Sequence, residues 1–203
     1  MAYRTFQVEI GGSSLIMHNG RSANPADQFA KAMKAISSKK KKTDADYEHL
    51  ANLEFRAGLY ANHKGEVVLP GHVLEAAIHG GAKKSNEGKL ALSGLFVDGD
   101  AEFRYDGAPK TVEELEADPD FRIVALVKVG TARVARTRPH FKNWTATFSV
   151  SVDLAVINPD QLRRWLVDCG DYVGIGDWRP RHGRFAVQRI AAIEPKPALL
   201  AAE

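Results

Sequence analysis

The sequence has few cysteines and no long apolar runs. Cys169 is the single cysteine among 203 residues, which excludes an intrachain disulfide and a cysteine-based zinc site. We expect it to be a buried structural thiol on a helix. No apolar run approaches membrane-spanning length, and the N-terminus alternates polar and apolar residues, unlike a signal peptide. We therefore expect a cytoplasmic protein that binds no membrane.

The sequence also lacks the common catalytic and cofactor motifs. It contains no G-x-x-x-x-G-K-[ST] phosphate loop and no G-x-S-x-G elbow. His72 and His79 would lie two helical turns apart, too far to share a metal ion without other ligands. Several histidines could titrate near neutral pH, but no two have a diagnostic spacing: His18, His72, His79, His140 and His182. We therefore predict no cofactor, no metal and no assigned catalytic residue.

No linker rich in proline, glycine and serine divides the chain, so we predict a single domain. The apolar content of 44% and the charged content of 26% are typical of globular proteins. The formal charge of +3 is unevenly distributed, with six lysines and no acid in residues 31–42 and a largely acidic stretch in residues 102–120. Basic clusters of this kind attract polyanions.

Hydrophobic periodicity predicts the order of the elements. Alternation predicts a first strand at Tyr3–Ile10 that extends toward Met17, and helical spacing predicts helices starting at Asn24-Pro25 and after Thr43. The later elements are a helix over 72–84, strands over 121–129 and 144–152, a helix from Asn158-Pro159 to Gly170, and a last strand ending at Ile193. This order is the βαββαβ pattern of an α+β, ferredoxin-like fold, which RNA-recognition domains share.

The fold prediction divides the chain into a core and additions to it. The core comprises residues 3–17, 66–84 and 121–193. A helical insertion follows the first strand at 24–60. A hairpin or loop excursion covers 85–120, which is rich in glycine, proline and acidic residues and has only short strand-like pieces at 91–97 and 101–105. Residues 194–203 are expected to form a loose tail.

A glycine- and arginine-rich loop, residues 174–185, precedes the last strand. Glycine lets the backbone approach a ligand, and the arginine guanidinium offers a planar set of donors suited to phosphate. The loop members with this chemistry are Gly174, Gly176, Gly183, Trp178, Arg179, Arg181, His182 and Arg184. The pattern predicts an anion-binding loop, with an ordinary surface turn as the alternative.

Two further basic segments are candidate nucleic-acid contacts. The first spans residues 133–144 and contains Arg133, Arg136, Arg138, His140, Lys142 and Trp144. Its cations could neutralise phosphates while Trp144, together with Phe141 and Trp178, stacks on unpaired bases. The alternative is that Trp144 is a core residue and the arginines form a solvated strand edge. The second segment is the run Lys39, Lys40, Lys41 and Lys42, which would contact phosphates or form a solvated loop.

Two segments carry a family resemblance. Leu69-Pro70-Gly71, after a short strand and before a helix, resembles the (I/L)PG helix opening of the RAMP superfamily, the repeat-associated proteins of CRISPR effector complexes. The 174–185 loop is similar to that superfamily's C-terminal glycine-rich loop. Glu75 stands where a basic residue is expected, and the chain is short for a backbone subunit. Because of these two departures, we expect a solitary relative of the backbone-subunit branch, encoded by a virus or a mobile element.

The resemblance implies a function. It implies a protein that binds single-stranded RNA, with DNA left open, through phosphates and with little base specificity. Asn19 and Arg21, in a turn after the first strand, would lie near the RNA, and the insertions would clamp it. The implied partners are further copies of the chain, assembled head to tail, and other effector-complex subunits. The alternatives are a RAMP-type endoribonuclease that uses a histidine, and an interaction module that mimics a subunit without binding nucleic acid.

Overall fold

The structure, a computed structural model, describes residues 3–107 and 109–193 as an α+β fold built on an antiparallel sheet. The strands are β1 (Tyr3–Ile16), β2 (Val68–Leu69), β3 (Leu95–Arg104), β4 (Arg122–Val129), β5 (Ala132–Asp153) and β6 (Ala186–Ala192). They are ordered β2-β3-β5-β1-β6, and β4 pairs with β5. The tail predicted for residues 194–203 lies outside the described residues.

Helices cover one face of this sheet. They are α1 (Gln28–Ser37), α2 (Asp44–Gly58), α3 (Gly71–Ala82), α4 (Gly88–Gly94), α5 (Val112–Ala117) and α6 (Pro159–Asp168), and α6 continues into a π-helical turn at Cys169–Val173. Along β5, Phe148 and Val150 are buried in the core while Thr147 and Ser149 are partly exposed, so the sheet has one apolar and one polar face. The apolar face packs with α3 and α6, an arrangement compatible with a ferredoxin-like core. None of the helices described has the length and apolarity needed to span a membrane.

The predicted helix starts are confirmed in two places and wrong in one. Thr43 and Asn158 both form capping boxes, at the starts of α2 and α6. Helix α1, however, begins at Gln28 with Asp27 as its N-cap, not at Asn24-Pro25. The Asn24 side chain accepts a hydrogen bond from the amide of Ala26 and stabilises a turn that delays the helix.

Residues 85–120 contain more regular structure than the predicted excursion. They form α4, β3 and α5, and β3 pairs with β5 over the length of the sheet. Leu95, Ala101 and Phe103 are buried, but the register of β3 shifts between Asp98 and Glu102. This bulge interrupts the alternation of polar and apolar residues, so the sequence does not read as one strand.

A hairpin arm, residues 122–139, extends beyond the end of β1. Strand β5 pairs with β4 from Ala132 to Pro139 and then with β1 from His140 onward. Buried Glu54 of α2 accepts hydrogen bonds from Arg136 Nη1 at 2.5 Å and from the amide of Thr137 at 2.7 Å. The helical insertion is therefore anchored on the arm.

Candidate nucleic-acid interface

The 174–185 loop packs against the end of β1. The Gly183 amide donates to Ser14 O and the Asp177 amide donates to Ile16 O, both at 2.8 Å. Gly176 has φ of +80°, and a Cβ there would lie 2.2 Å from Ile16 O. This close approach requires glycine whether or not a ligand is present. The predicted role of the glycines in approaching a ligand therefore has a simpler physical reason: Gly174, Gly176 and Gly183 let the loop close on itself and on β1.

A serine hydroxyl joins two histidines where the loop meets the sheet. Ser14 Oγ lies 2.8 Å from His140 Nε2 and 2.8 Å from His182 Nδ1, and the two ring centroids are 6.0 Å apart. With a single proton, the hydroxyl donates to one ring and accepts from the other when both are neutral. We call Ser14, His140 and His182 the Ser14 cluster. Two of the five histidines considered for the ribonuclease alternative thus lie together, and that alternative stays a prediction.

The surroundings of the Ser14 cluster favour neutral imidazoles. Burial lowers the pKa of His140, and the nearby charges of His182 and Lys142 lower it further. Burial also lowers the pKa of His182, with a contribution from Arg181. Both histidines therefore titrate below the ordinary value of 6.5, and a phosphate placed beside them would oppose that shift.

An ion pair links the loop to the hairpin arm. Arg138 Nε lies 3.3 Å from Asp177 Oδ2. Beside this pair, burial and the charge of Arg138 lower the pKa of His18, against the opposing effect of Asp177. The His18 Nδ1 atom is buried and has no hydrogen-bond partner among the described residues.

Two basic depressions meet at this ion pair. The first, which we call the basic cavity, lies between α1, α2 and the hairpin arm and has a volume of about 270 Å³. Lys34, Arg136 and Arg138 are its basic lining residues. The second, the loop groove, is an open depression of about 710 Å³ beside the C-terminal end of α3, with Lys83, Lys84, Trp178 and Arg179 among its lining residues. Arg138 lines the cavity and Asp177 lines the groove, so the ion pair lies between the two depressions.

The predicted cations differ in how they are engaged. Arg133, Arg179, Arg181 and Arg184 are exposed and have no acidic partner within residues 3–107 and 109–193. Others form ion pairs, namely Arg21 with Asp27, Lys39 with Asp46, Arg136 with Glu54, Arg138 with Asp177 and Lys142 with Asp120. Lys40 and Lys41 are exposed, and Lys42 donates to the carbonyl of Lys39. The exposed arginines are thus the cations most available to phosphates.

Several predicted contacts are structural. Trp144 is only 1% exposed and packs against Phe103 and Phe185, so its predicted stacking on bases is wrong and the alternative of a core residue is confirmed. Phe141 is likewise fully buried. The Asn19 side chain donates to Leu59 O at 3.2 Å and ties the turn after β1 to the end of α2. Arg21 packs over the Phe29 ring while pairing with Asp27.

Arg184 lies apart from the other loop arginines. It lines a separate depression of about 490 Å³ beside Gly12, Asp171 and Tyr172. Tyr172 also lines the loop groove, so the two depressions are adjacent. Trp178 lies at the groove with its ring centroid 5.9 Å from that of His182, where a base could stack on it.

Sequence reasoning missed residues whose position depends on tertiary contacts. No local sequence pattern marks Ser14, because its contacts with the two histidines depend on the pairing of β1 with β5 and on a loop far along the chain. Asp177 was not singled out within the arginine-rich loop. Lys83 and Lys84 follow the C-terminal end of α3, where cations complement the helix dipole, and both also line the loop groove.

The polar face of the sheet is a poor surface for phosphates. The Ser151 hydroxyl bonds to Thr5 and to Asp98, and Glu102 pairs with Arg104 at 2.6 Å. Carboxylates and hydroxyls on this face do not attract a polyanion. The basic surface therefore lies at the end of the sheet, where β1, the loop and the hairpin arm meet.

Comparisons with known proteins show a shared fold. No protein-family profile matches the chain, and no curated protein matches it in sequence. A chain from the cryo-EM structure of type III-B Cmr-beta bound to cognate target RNA superimposes with a TM-score of 0.53 and 13% sequence identity. The alignment covers 95% of the present chain and 61% of the other, so this chain spans less than two thirds of that chain's length. The chain is therefore similar in fold to a chain of an RNA-bound CRISPR type III-B assembly.

Proposed function

We propose that this chain is a RAMP-like protein that binds single-stranded nucleic acid, RNA in preference to DNA, largely through phosphates. The observation that carries the proposal is the loop itself: Arg179 and Arg181 are exposed and have no acidic partner in the described part of the chain, and Arg179 lines the loop groove together with Lys83 and Lys84. Arginine at such a surface neutralises phosphates without reading sequence. The similarity in fold to a chain of an RNA-bound assembly supports RNA as the ligand.

The similarity in fold also supports a proposal for the core topology and for assembly. We infer that β1, α3, β3, β5, α6 and β6 form a βαββαβ core, to which the α1–α2 insertion and the hairpin arm are added. The insertion and the arm would hold the strand against the loop. Further copies of this chain, or other subunits of an effector complex, would continue the binding surface along the nucleic acid.

The loop arginines supply the direct test. Each phosphate contact contributes about 0.7 to the slope of log affinity against log salt concentration for single strands. Replacing Arg179, Arg181 and Arg184 together with alanine is expected to weaken binding to all sequences alike and to reduce that slope by about 2. Fluorescence anisotropy with labelled oligouridylate and oligodeoxythymidylate, measured over a range of salt concentrations, gives the slope and the RNA preference.

A matched variant controls for net charge. Arg104, Arg163 and Arg189 are exposed and lie outside the loop, on β3, α6 and β6. Replacing these three with alanine removes the same charge and is expected to leave most of the slope intact. An unchanged slope in the loop variant, or an equal reduction in the control, would remove the loop from the binding surface.

A further inference from the structure

We propose that Asp177 is an internal competitor for phosphate: in the free protein its carboxylate occupies Arg138, and a phosphate of the bound strand displaces it. This autoinhibitory contact rests on the proposed function, because it concerns what a strand must displace to reach the basic surface. The contact lies between the two basic depressions, since Arg138 lines the basic cavity and Asp177 lines the loop groove.

The contact between the two side chains is loose. Arg138 Nε lies 3.3 Å from Asp177 Oδ2, whereas a strong charge-assisted hydrogen bond measures about 2.7–2.9 Å. No second nitrogen of Arg138 donates a hydrogen bond to this carboxylate. Arg56, in contrast, donates to the two oxygens of Glu116 from Nε at 2.9 Å and from Nη2 at 2.7 Å. The Asp177 carboxylate can therefore leave without the loss of a bidentate pair.

Arg138 has a donor that no protein group uses. Its Nη1 donates to the Thr137 carbonyl at 3.1 Å, but its Nη2 donates to no group in the described part of the chain. The Arg138 side chain is only 15% exposed, so water screens its charge less than that of the exposed loop arginines. A phosphate that reaches Arg138 is therefore bound strongly, and a carboxylate that already lies there opposes it strongly.

Asp177 can release Arg138 without movement of the loop backbone. Its amide donates to Ile16 O at 2.8 Å, which fixes this position against the end of β1. Its second carboxylate oxygen, Oδ1, accepts from the Trp178 amide at 2.9 Å. Because the backbone is held independently, rotation of the side chain is enough to separate Oδ2 from Arg138.

Asp177 also opposes the positive charge of the loop groove. Three cations line the groove, Lys83, Lys84 and Arg179, and Asp177 is the only acid among its described lining residues. One carboxylate thus repels phosphate both from Arg138 and from the groove. A ligand must make enough other phosphate contacts to offset its displacement, which favours a strand over a free mononucleotide.

Asp177→Asn tests the competition. Asparagine keeps the shape of the side chain and an oxygen for the Trp178 amide, but it removes the charge. Anisotropy with a short labelled oligouridylate at low salt is expected to show about fivefold tighter binding, between the effects of exposed and of fully buried ion pairs.

Glu102→Gln is the matched control. It likewise removes one carboxylate that pairs with an arginine, but this pair, with Arg104, lies on the polar face of the sheet. It should change the affinity by less than about twofold. Thermal melting checks that each variant folds.

A double-mutant cycle separates competition at Arg138 from a general change in charge. In an Arg138→Gln protein, Asp177→Asn should give no gain in affinity, because the group that the substitution releases is missing. If Arg138→Gln does not fold, the comparison of Asp177→Asn with Glu102→Gln decides alone.

The outcomes separate the inference from the proposed function. Wild-type binding with no gain in Asp177→Asn would overturn the inference and leave the proposed function standing. A gain that persists without Arg138, or an equal gain in Glu102→Gln, would show a general charge effect and would also overturn it. Failure of both the wild-type protein and Asp177→Asn to bind any strand would overturn the proposed function, and the inference with it.

Discussion

Ser14 shows how one small side chain can organise a site. Its hydroxyl contacts His140 of β5 and His182 of the loop, and its carbonyl accepts from the Gly183 amide. Three separate segments therefore converge on one residue. The two imidazoles that it holds can change charge near neutral pH, while the arginines around them cannot.

The Ser14 cluster predicts opposite effects of pH on stability and on binding. Because burial lowers the pKa of His140 and His182 in the folded protein, the unfolded chain takes up more protons as the pH falls below the ordinary value of 6.5. The melting temperature is therefore expected to fall from pH 7 toward pH 5. Bound phosphate favours the imidazolium, so affinity for RNA should rise over the same interval.

His182→Gln tests both halves of this prediction. Glutamine keeps a hydrogen-bonding group near Ser14 but does not titrate, so both pH dependences should become shallower, and His140 is the titrating group of the cluster that remains. His63→Gln, at an exposed turn position, is the control and should change neither. Melting curves and anisotropy titrations at each pH provide the measurement, and an affinity that does not vary with pH in wild-type protein would contradict a phosphate contact at the cluster.

At the residue scale, the sequence identifies the exposed arginines well and the aromatic contacts poorly. Arg179 and Arg181 are exposed, as the glycine- and arginine-rich context predicts, and Arg179 lines the loop groove. Trp144 ends a segment rich in basic residues, and this context led to the prediction that it stacks on RNA bases. It alternates, however, in phase with the buried Ala146 and Phe148 of β5. Which face of a strand is buried depends on the helices that cover it, and a local window does not contain that information.

At the scale of elements, Glu54 is the main link between the helical insertion and the hairpin arm. It is 5% exposed and bonds to both Arg136 and the Thr137 amide. Removing one partner of a buried ion pair leaves the charge of the other partner without a counter-charge. The orientation of α2, and the shape of the basic cavity that it lines, therefore depend on this carboxylate.

Glu54→Ala is expected to lower the free energy of unfolding by about 2 kcal/mol. This is below the roughly 3–5 kcal/mol for a fully buried pair, because the Arg136 side chain is 32% exposed. Chemical denaturation measures the loss, and hydrogen exchange should show faster exchange in α2 and in residues 132–139. Glu48→Ala, at an exposed position of the same helix, is the control and should have little effect. Equal destabilisation by the two variants would contradict the anchoring role.

Element boundaries were predictable where the signal is local. The helix starts at Thr43 and Asn158 follow from a few adjacent residues, and both are confirmed, each with a capping box. Strand β3 was predicted only as two short strand-like pieces, because its bulge and its acidic residues hide the alternation. Pairing with β5 makes it one strand despite the bulge. The basic cavity was not predictable either, since it requires α1, α2 and the arm to be placed relative to one another.

At the scale of the whole molecule, the proposed function predicts assembly on RNA. Protein purified without nuclease treatment is expected to retain RNase-sensitive nucleic acid and to elute from a size-exclusion column above the mass of one chain. The number of chains bound should increase with the length of added oligouridylate, because phosphate contacts repeat along a strand. Size-exclusion chromatography with light scattering measures both. A clean monomer that binds no short single strand at low salt would favour the interaction-module alternative.

The distance along the chain between Ser14 and His182 has a consequence for synthesis on the ribosome. These residues are 168 positions apart, and the loop bonds to the end of β1. During translation, β1 emerges long before the loop that completes the basic surface. A nascent chain therefore exposes its lysine run before it has the loop groove, and under the proposed function the binding of RNA through the loop requires release of the loop from the ribosome. Binding competence should thus appear late and abruptly as the polypeptide lengthens.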